Sequence, residues 1–346
     1  MEPPCCAKCG KAAVVSIRYM SAALCHEHFN RFFEKRFCQT IRRHALIFQG
    51  EKIAVGLSGG KDSMLLLHLL VRFFGRENTF FAIIIDEGIP GYRDRAIDLA
   101  IRSCEKLGVK FEVVSFQHEF DLTNADTAVA LALRPSLGKG VCGFCGTFRR
   151  SILNKIAKRT EATRLATGHN LDDEAQSVLM NVFDNHFEKF TRQGPASGAH
   201  SPAGPLVQRI KPFFETPEKE IIAYCALNNI EHYSNECCPH SRRAKRNDFR
   251  QMLNEFEAKY PGTKQSIVQF QLAALKNLAT SQPGTRELKS CERCGEPANK
   301  AQCHACENRG RILREKSRSP MAPEPKKEKS KAANDLSCHE LKQMAT

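Results

Sequence analysis

The stretch AVGLSGGKDSMLLLHLL, residues 54–70, decides the fold class of this chain. It joins an apolar run to an amphipathic stretch through the string SGGKDS. Gly59 and Gly60 let the backbone approach an anion closely, and the free N–H groups of the first helical turn then point at it. The G-x-x-x-x-G-K-[ST] spacing of a Walker A loop is absent. We therefore predict a phosphate cradle of another kind, made of Ser58, Gly59, Gly60, Lys61, Asp62 and Ser63.

Apolar strands alternate with helix-like stretches on both sides of this string, from about residue 50 to 235. Runs such as FFAIIID (80–86) are apolar throughout, as expected of strands covered on both faces. Such alternation predicts a doubly wound, parallel α/β sheet that binds its ligands beyond the carboxyl ends of the strands. The predicted strands are 52–58, 80–86, 110–116 and 164–169, and the predicted helices are about 61–75, 92–107, 147–160 and 171–183.

Two sets of closely spaced cysteines flank this region. Tetrahedral zinc needs four soft or borderline ligands, and two short-spaced pairs supply them from two turns. The spacing therefore predicts a small zinc module at each end of the chain. The ligands of the first are Cys6, Cys9, Cys25 and His28, and those of the second are Cys291, Cys294, Cys303 and Cys306.

The chain of 346 residues carries a formal net charge of +14. Part of this charge is local, since residues 309–331 hold nine Lys or Arg against three Glu in a Pro- and Ser-rich context that predicts a disordered tail. Further basic residues lie within foldable segments, notably RRAKR at 242–246. A polyanionic partner, first of all a nucleic acid, fits this distribution.

No apolar run approaches the roughly 20 residues of a membrane helix, and the N-terminus lacks the layout of a secretory signal. We therefore expect a soluble cytoplasmic protein without membrane contact.

The features described so far predict five regions along the chain. The regions are a zinc module (1–35), the α/β domain (50–235), a mostly helical extension (236–282), a second zinc module (288–310) and a basic disordered tail (311–346).

A further Cys-x-x-Cys lies mid-chain in GKGVCGFCGTFRR, residues 138–150. Structural zinc would need two more ligands than Cys142 and Cys145. Redox chemistry is open to such a pair, although a thioredoxin-like context is missing. With one later cysteine the pair also suits an iron–sulfur cluster that has an open coordination position. We expect the glycines to let this loop close over such a cluster.

The string SGGKDS after a buried strand resembles the PP-loop of ATP pyrophosphatases, which adenylate a substrate and release pyrophosphate. The resemblance implies the α/β fold already inferred, with ATP and Mg²⁺ as ligands and with Lys61 and Asp62 in catalysis. ATGHNLDD at 166–173 resembles a later nucleotide-site element of that family. The resemblance therefore implies further nucleotide-site residues, which are Asp86, Gly168, His169 and Asp173; Asp172 could also bind Mg²⁺.

Together with the paired zinc modules, DEGIPGYRDRAI, CGFCGTFRRSILN and TGHNLDDEAQSVLMN resemble the tRNA 2-thiolation branch, namely the cytosolic thiouridylase subunit 1 group. This implies adenylation of the C2 oxygen of a tRNA uridine and its replacement by sulfur. It also implies a [4Fe–4S] cluster on Cys142, Cys145 and a third cysteine in NECCPHS. We prefer Cys238 to the adjacent Cys237 for that position.

The same resemblance implies partners beyond tRNA. These are a ubiquitin-related modifier thiocarboxylate as sulfur donor, and a non-catalytic cytosolic thiouridylase subunit 2 or a second copy of the chain. A wobble uridine at position 34 of cytosolic tRNAs is the predicted target. The competing functions are thiolation of a T-loop uridine or of a cytidine, and a non-catalytic RNA-binding scaffold.

Overall fold

A computed structural model of the chain describes residues 4–89, 91, 93–137, 140–198, 206–234, 238–241, 244–278 and 288–318. Within these ranges the strands are β1 (Val15–Ile17), β2 (Ala22–Leu24), β3 (Lys52–Leu57), β4 (Thr79–Asp86), β5 (Lys110–Ser115), β6 (Arg164–Ala166), β7 (Ala196–Ser197), β8 (Gln208–Ile210), β9 (Lys289–Ser290) and β10 (Pro297–Ala298). The α-helices are α1 (His26–Arg43), α2 (Lys61–Phe74), α3 (Asp94–Leu107), α4 (Phe116–Phe120), α5 (Asn124–Leu133), α6 (Val141–Arg159), α7 (Leu171–Phe183), α8 (Phe187–Thr191), α9 (Glu218–Leu227), α10 (Lys245–Lys259), α11 (Thr263–Leu278) and α12 (His304–Arg318).

The central sheet has the strand order β5-β4-β3-β6-β8-β7 in the described part of the chain. All neighbours pair in parallel except β7, which is antiparallel to β8 at one edge. The predicted doubly wound sheet is thus confirmed. The chain leaves β3 toward β4 on one side and later returns to β6 on the other side, so the strand order reverses at β3. Ligands bind at such a switch point, and the string SGGKDS follows β3 directly.

Alternate residues of the central strands face two different apolar layers, because side chains alternate along a strand. In β3, Ile53 and Val55 pack with the apolar face of α2, whereas Ala54 packs with the layer of α6. In the same way β4 directs Ile84 to the first layer and Ile83 to the second. Both faces of the sheet are therefore covered, which explains why these strands read as continuous apolar runs.

The two cysteine modules pack on opposite layers of this core. Cys6 and Cys25 belong to the α2 layer, together with buried phenylalanines of α1 such as Phe29. Cys291 and Cys303 belong to the α6 layer. The modules therefore share the apolar core of the sheet.

Several bounds differ from the predicted ones. α6 begins at Val141, so the central Cys-x-x-Cys lies in the first turns of a helix and is not the closing loop that we expected. α12 continues to Arg318, so residues 311–318 are helical where the tail was predicted; residues 319–346 lie outside the described part. α1 runs through residue 35, the predicted end of the first module. No described helix has both the length and the apolar character that a bilayer-crossing helix requires.

Candidate active site

Hydrogen bonds of two serine hydroxyl groups stabilise the loop between β3 and α2. The backbone N–H of Ser58 donates to Ser63 Oγ at 3.1 Å, and Ser63 Oγ donates to the carbonyl oxygen of Gly60 at 3.0 Å. The hydroxyl of Ser58 lies 3.0 Å from that of Ser63. These bonds hold the loop in one conformation in front of the N-terminus of α2, where unpaired backbone N–H groups favour an anion.

Two glycines allow other segments to approach this loop. Gly59 has a φ of +80°, and a Cβ atom there would lie 2.3 Å from the carbonyl oxygen of Ala96 in α3. A Cβ atom at Gly168 would lie 2.9 Å from the backbone nitrogen of Ser63. The segment after β6 thus packs directly on the first turn of α2, so Gly168 lies beside the predicted phosphate cradle.

Lys61 is held by two carboxylates at the start of α2. Its Nζ lies 3.0 Å from Asp62 Oδ2 and 2.6 Å from Oε1 of Glu218, the first residue of α9. Burial opposes the charge of this amine, but Asp62 and Glu218 outweigh burial and raise the pKa of Lys61. The other carboxylate oxygen of Asp62 accepts a hydrogen bond from Asn170 Nδ2 at 3.0 Å. Lys61 is therefore charged and positioned at the edge of the cradle.

The adjacent acids of α7 have different surroundings. Asp172 is buried, forms an ion pair with the buried amine of Lys264, and accepts a hydrogen bond from the backbone N–H of Glu218 at 2.8 Å. Asp173 keeps 27% of its side chain exposed and pairs with Arg246 at 3.2 Å. Burial raises the pKa of Asp173 to about 6. Asp172 thus joins α7 to α11 and to the start of α9. Asp173 stays partly exposed beyond the carboxyl ends of β3 and β6, where a doubly wound sheet has its ligand crevice.

Arg93 ties the carboxyl ends of β3 and β4 together. Its guanidinium donates to the carbonyl oxygens of Ser58 at 2.9 Å and of Ile85 at 2.7 Å, and its Nε lies 2.6 Å from Oε2 of buried Glu87. Asp86 ends β4 next to this clamp and accepts a hydrogen bond from the backbone N–H of Gly88 at 2.8 Å. The clamp fixes the floor of the crevice in which both strands end.

The cysteines predicted to hold an iron–sulfur cluster lie on the other side of the clamp formed by Arg93. Cys142 and Cys145 are one turn apart in α6, and the sulfur of Cys142 is 3.6 Å from the carbonyl oxygen of His240, two residues after Cys238. Burial, followed by Glu87 and the thiols of Cys238 and Cys142, raises the pKa of Cys145 to about 12. The structure therefore brings these three cysteines together; Cys237 lies outside the described residues.

Two connections join the cysteines to the cradle. Glu87 contacts Arg93 on one side and Arg149 of α6 on the other, where the distance to Nε is 3.5 Å. The backbone N–H of Tyr233 donates to the carbonyl oxygen of Gly59 at 2.8 Å, a few residues before Cys238. The cradle and the cysteines thus border one crevice.

His169 reaches solvent in this crevice and lies 2.9 Å (Nδ1) from the hydroxyl of Thr167. The protein that surrounds it, followed by the positive charges of Lys211 and Arg209, lowers the pKa of His169 to about 3. The imidazole is therefore neutral at physiological pH.

Each end of the chain holds a compact four-ligand group that can bind a metal ion. In each group, one potential ligand atom per residue lies within 4.8 Å of all the others. The sulfurs of Cys9 and Cys25 are 3.8 Å apart, and those of Cys294 and Cys303 are 3.7 Å apart. The groups consist of Cys6, Cys9, Cys25 and His28, and of Cys291, Cys294, Cys303 and Cys306, as the spacing predicted.

Comparison with known proteins agrees with this arrangement. A family model described as a PP-loop domain matches residues 26–256. The chain is 36% identical to the tRNA 2-thiolation protein NcsA of Haloferax volcanii, over 87% of this chain and 97% of that protein. The chain belongs to the PP-loop family of tRNA 2-thiolation proteins. It is also 32% identical to a tRNA-5-methyluridine(54) 2-sulfurtransferase of Pyrococcus horikoshii, over 87% of this chain and 92% of that protein.

A cytoplasmic relative and a solved structure extend this result. The cytoplasmic tRNA 2-thiolation protein 1 of Chlamydomonas reinhardtii is 32% identical over 88% of this chain and 84% of that protein. The structure of the U34-tRNA thiolase NcsA from Methanococcus maripaludis with its [4Fe–4S] cluster superposes with a TM-score of 0.71 at 31% identity, covering 85% of this chain and 96% of that one. Both matches span nearly the whole architecture described above.

Sequence reasoning missed several residues that build this site. Glu87 and Arg93 follow β4 within DEGIPGYRD, and two opposite charges beyond the end of a buried strand were a usable signal. Glu218 had no such signal, because it meets Lys61 across 157 residues of chain. Asn170 belongs to a capping box with Asp173, which its position before an apolar helix could have indicated.

Proposed function

We propose that this chain uses ATP to activate the C2 oxygen of a uridine in tRNA and replaces that oxygen with sulfur. The observation that carries the proposal is that the phosphate cradle and the three cysteines border one crevice, joined through Arg93 and Glu87. Membership of the tRNA 2-thiolation family supports it. An enzyme that couples adenylation to sulfur transfer needs both sites within reach of one base.

The residues of the cradle serve the activation step. The backbone N–H groups of the first turn of α2 and the amine of Lys61 receive the phosphates, and the partly exposed carboxylate of Asp173, which pairs with Arg246 here, would hold Mg²⁺. The uridine oxygen forms a bond to the α-phosphorus, and the bond to the departing pyrophosphate breaks. The oxygen thereby becomes part of a good leaving group, AMP. Asp86, Gly168 and His169 would line the nucleotide, and Asp62 orients Lys61.

The three cysteines serve the second step, in which sulfur attacks C2 and AMP leaves. Their chemistry fits a [4Fe–4S] cluster, since three thiolates on one helix terminus and an adjacent turn leave one iron without a protein ligand. Such a cluster, when bound, supplies an open position for the sulfur to be delivered. Cys142 and Cys145 would bind iron as thiolates, so iron would have to displace the proton of Cys145, whose pKa burial raises.

Zinc fits both terminal groups. Four ligands around zinc with Zn–S bonds of about 2.3 Å place neighbouring sulfurs about 3.8 Å apart. The sulfur separations of 3.8 Å and 3.7 Å agree with this value. We infer that both zinc ions stabilise the layers on which they lie, because their ligands belong to the core clusters.

The proposed target uridine and localisation rest on the relatives. We propose a wobble uridine of cytoplasmic tRNAs as the target, because the superposed thiolase is a U34 enzyme. The relative that acts on position 54 makes the T-loop uridine the competitor. We further propose cytoplasmic localisation, which the name of the cytoplasmic relative supports. A ubiquitin-related modifier thiocarboxylate as sulfur donor, and pairing with a non-catalytic thiolation subunit or a second copy of this chain, are proposed from the motif resemblance alone.

Thiolation of defined tRNA variants tests the proposal. Cluster-loaded protein is incubated with ATP, sulfide and unmodified tRNA in which the uridine at position 34 or at position 54 is replaced by cytidine. We expect AMP release, and 2-thiouridine by nucleoside mass spectrometry in every tRNA except the one altered at 34. Loss only in the tRNA altered at 54 would assign the T-loop target. No ATP turnover and no thiolation would leave a scaffold role.

A further inference from the structure

Arg209 has no assigned role in the proposed reaction steps. It lies in β8, where Ile210 faces the α2 layer, and Val207, the residue before β8, packs with the α6 layer. Because side chains alternate along a strand, Arg209 faces α6 together with Val207. Its Nε is buried and has no hydrogen-bond partner among the described residues.

Arg150 approaches the same place from α6. It lies one turn before Asn154. The side-chain oxygen of Asn154 accepts a hydrogen bond from the backbone N–H of Val207 at 3.0 Å, which holds the segment at the start of β8 against this helix. A Cβ atom at position 146 would lie 3.3 Å from Nη1 of Arg150, so Gly146 leaves room for the guanidinium beside the turn that carries Cys145. The two arginines therefore lie next to each other on the cysteine side of the crevice.

Four acidic side chains around the crevice are already paired with other cations. Glu87 pairs with Arg93 and Arg149. Glu174 lies 2.7 Å from Nζ of Lys211. Asp173 pairs with Arg246 and Glu218 with Lys61, as described above.

Within the described part of the chain, no carboxylate forms an ion pair with Arg150 or Arg209. Burial lowers the pKa of both guanidiniums, and the positive charges of neighbouring arginines, Arg149 beside Arg150 and Arg150 beside Arg209, lower it further. Holding like charges together in a partly desolvated place costs free energy that an anionic ligand would recover.

We propose that Arg150 and Arg209 form a binding site for one backbone phosphate of the RNA substrate, next to the nucleotide that reacts. The inference rests on the proposed function and names the contact that positions the RNA. Guanidinium groups match phosphate oxygens in a bidentate geometry. The phosphates of ATP have their own cradle at α2, whereas this pair lies on α6 and β8 beside the cysteines. A phosphate held here would place the target base between the two halves of the crevice.

The test compares two doubly neutralised proteins. In the first, Arg150→Gln and Arg209→Gln are combined, and Arg150→Gln is also made alone because Arg150 is the more exposed of the two arginines. The matched control combines Lys155→Gln and Arg159→Gln, which remove the same charge from the far end of α6, where these residues pair with Glu119 and Glu112. The affinity for unmodified tRNA is measured by fluorescence anisotropy at several salt concentrations, and ATP affinity by calorimetry.

We expect the slope of log affinity against log salt to fall by about 1 in the first double variant, with roughly tenfold weaker binding and a smaller change of the same kind for Arg150→Gln alone. The control should keep the wild-type slope, and ATP affinity should not change in any variant. If the first double variant keeps the tRNA affinity and the salt slope of wild type, and the wild-type protein does thiolate tRNA, this inference alone is overturned. Weaker ATP binding with unchanged tRNA binding would also overturn it. A wild-type protein that neither binds nor thiolates tRNA would refute the proposed function itself.

Discussion

Replacement of Gly59 by alanine should destabilise the protein through the cradle. With a φ of +80° at this position, an L-residue other than glycine costs about 1–2 kcal/mol. The new methyl group would lie 2.3 Å from the carbonyl oxygen of Ala96, which is backbone of α3 and cannot rotate away. Forced backbone shifts of this kind typically add about 1–3 kcal/mol. We expect Gly59→Ala to lower the free energy of unfolding by about 2–5 kcal/mol and to weaken ATP binding at least about tenfold.

Gly60→Ala is the matched control, one residue away. Its φ is ordinary, and the nearest heavy atom to a new Cβ is Ser58 Oγ at 3.6 Å. Alanine is a poorer N-cap than glycine, but it also restricts the unfolded chain, so the two effects nearly cancel. Both variants are unfolded in urea while far-UV circular dichroism is recorded. Equal stability of Gly59→Ala and Gly60→Ala would refute the reasoning, because it would mean that α3 does not press on the cradle as the structure shows.

Three further outcomes follow, two at the site and one at Glu215, whose carboxylate lies 2.8 Å from Nη1 of Arg43 and 3.0 Å from Nε2 of His44. Cys142→Ser should remove the brown cluster absorbance and thiolation while both zinc equivalents remain by atomic emission; equal loss of zinc would contradict the separation of the sites. Asp172→Asn should cost about 3–5 kcal/mol in urea unfolding, because it leaves Lys264 buried without its partner, whereas Asp173→Asn should unfold like wild type but lose Mg²⁺-dependent AMP release. Burial opposes ionisation of Glu215, but hydrogen bonds from His44 and Arg43 lower its pKa below the ordinary 4.5, so its stabilising contribution is present above that pH and lost as the pH falls through the lowered pKa. The stability advantage of wild type over Glu215→Gln should therefore shrink in acid, and a constant difference from pH 7 to pH 3 would exclude this linkage.

The local sequence was sufficient to predict those parts of the fold and of the site that are built from residues close together in the chain. The apolar run before SGGKDS predicted β3 and the start of α2, because a buried parallel strand followed by a glycine pair has few other solutions. Both four-ligand groups were predicted from spacing, since two short loops supply all ligands of one ion. The start of α6 was misjudged, because the glycines around Cys142 have poor helix propensity and tertiary packing of Phe144 and Phe148 overrides it.

The sequence by itself determined the parallel α/β class, the position of the SGGKDS loop between β3 and α2, and the two terminal four-ligand groups. Only the tertiary structure decided which charges meet: Lys61 with Glu218, Asp172 with Lys264, and Arg93 with the ends of β3 and β4. It also decided that the cysteines of α6 lie with Cys238 beside that clamp. The reason is that a strand or a glycine-rich loop is specified by residues that are neighbours in the sequence. Contacts between residues far apart in the sequence depend on how the layers pack.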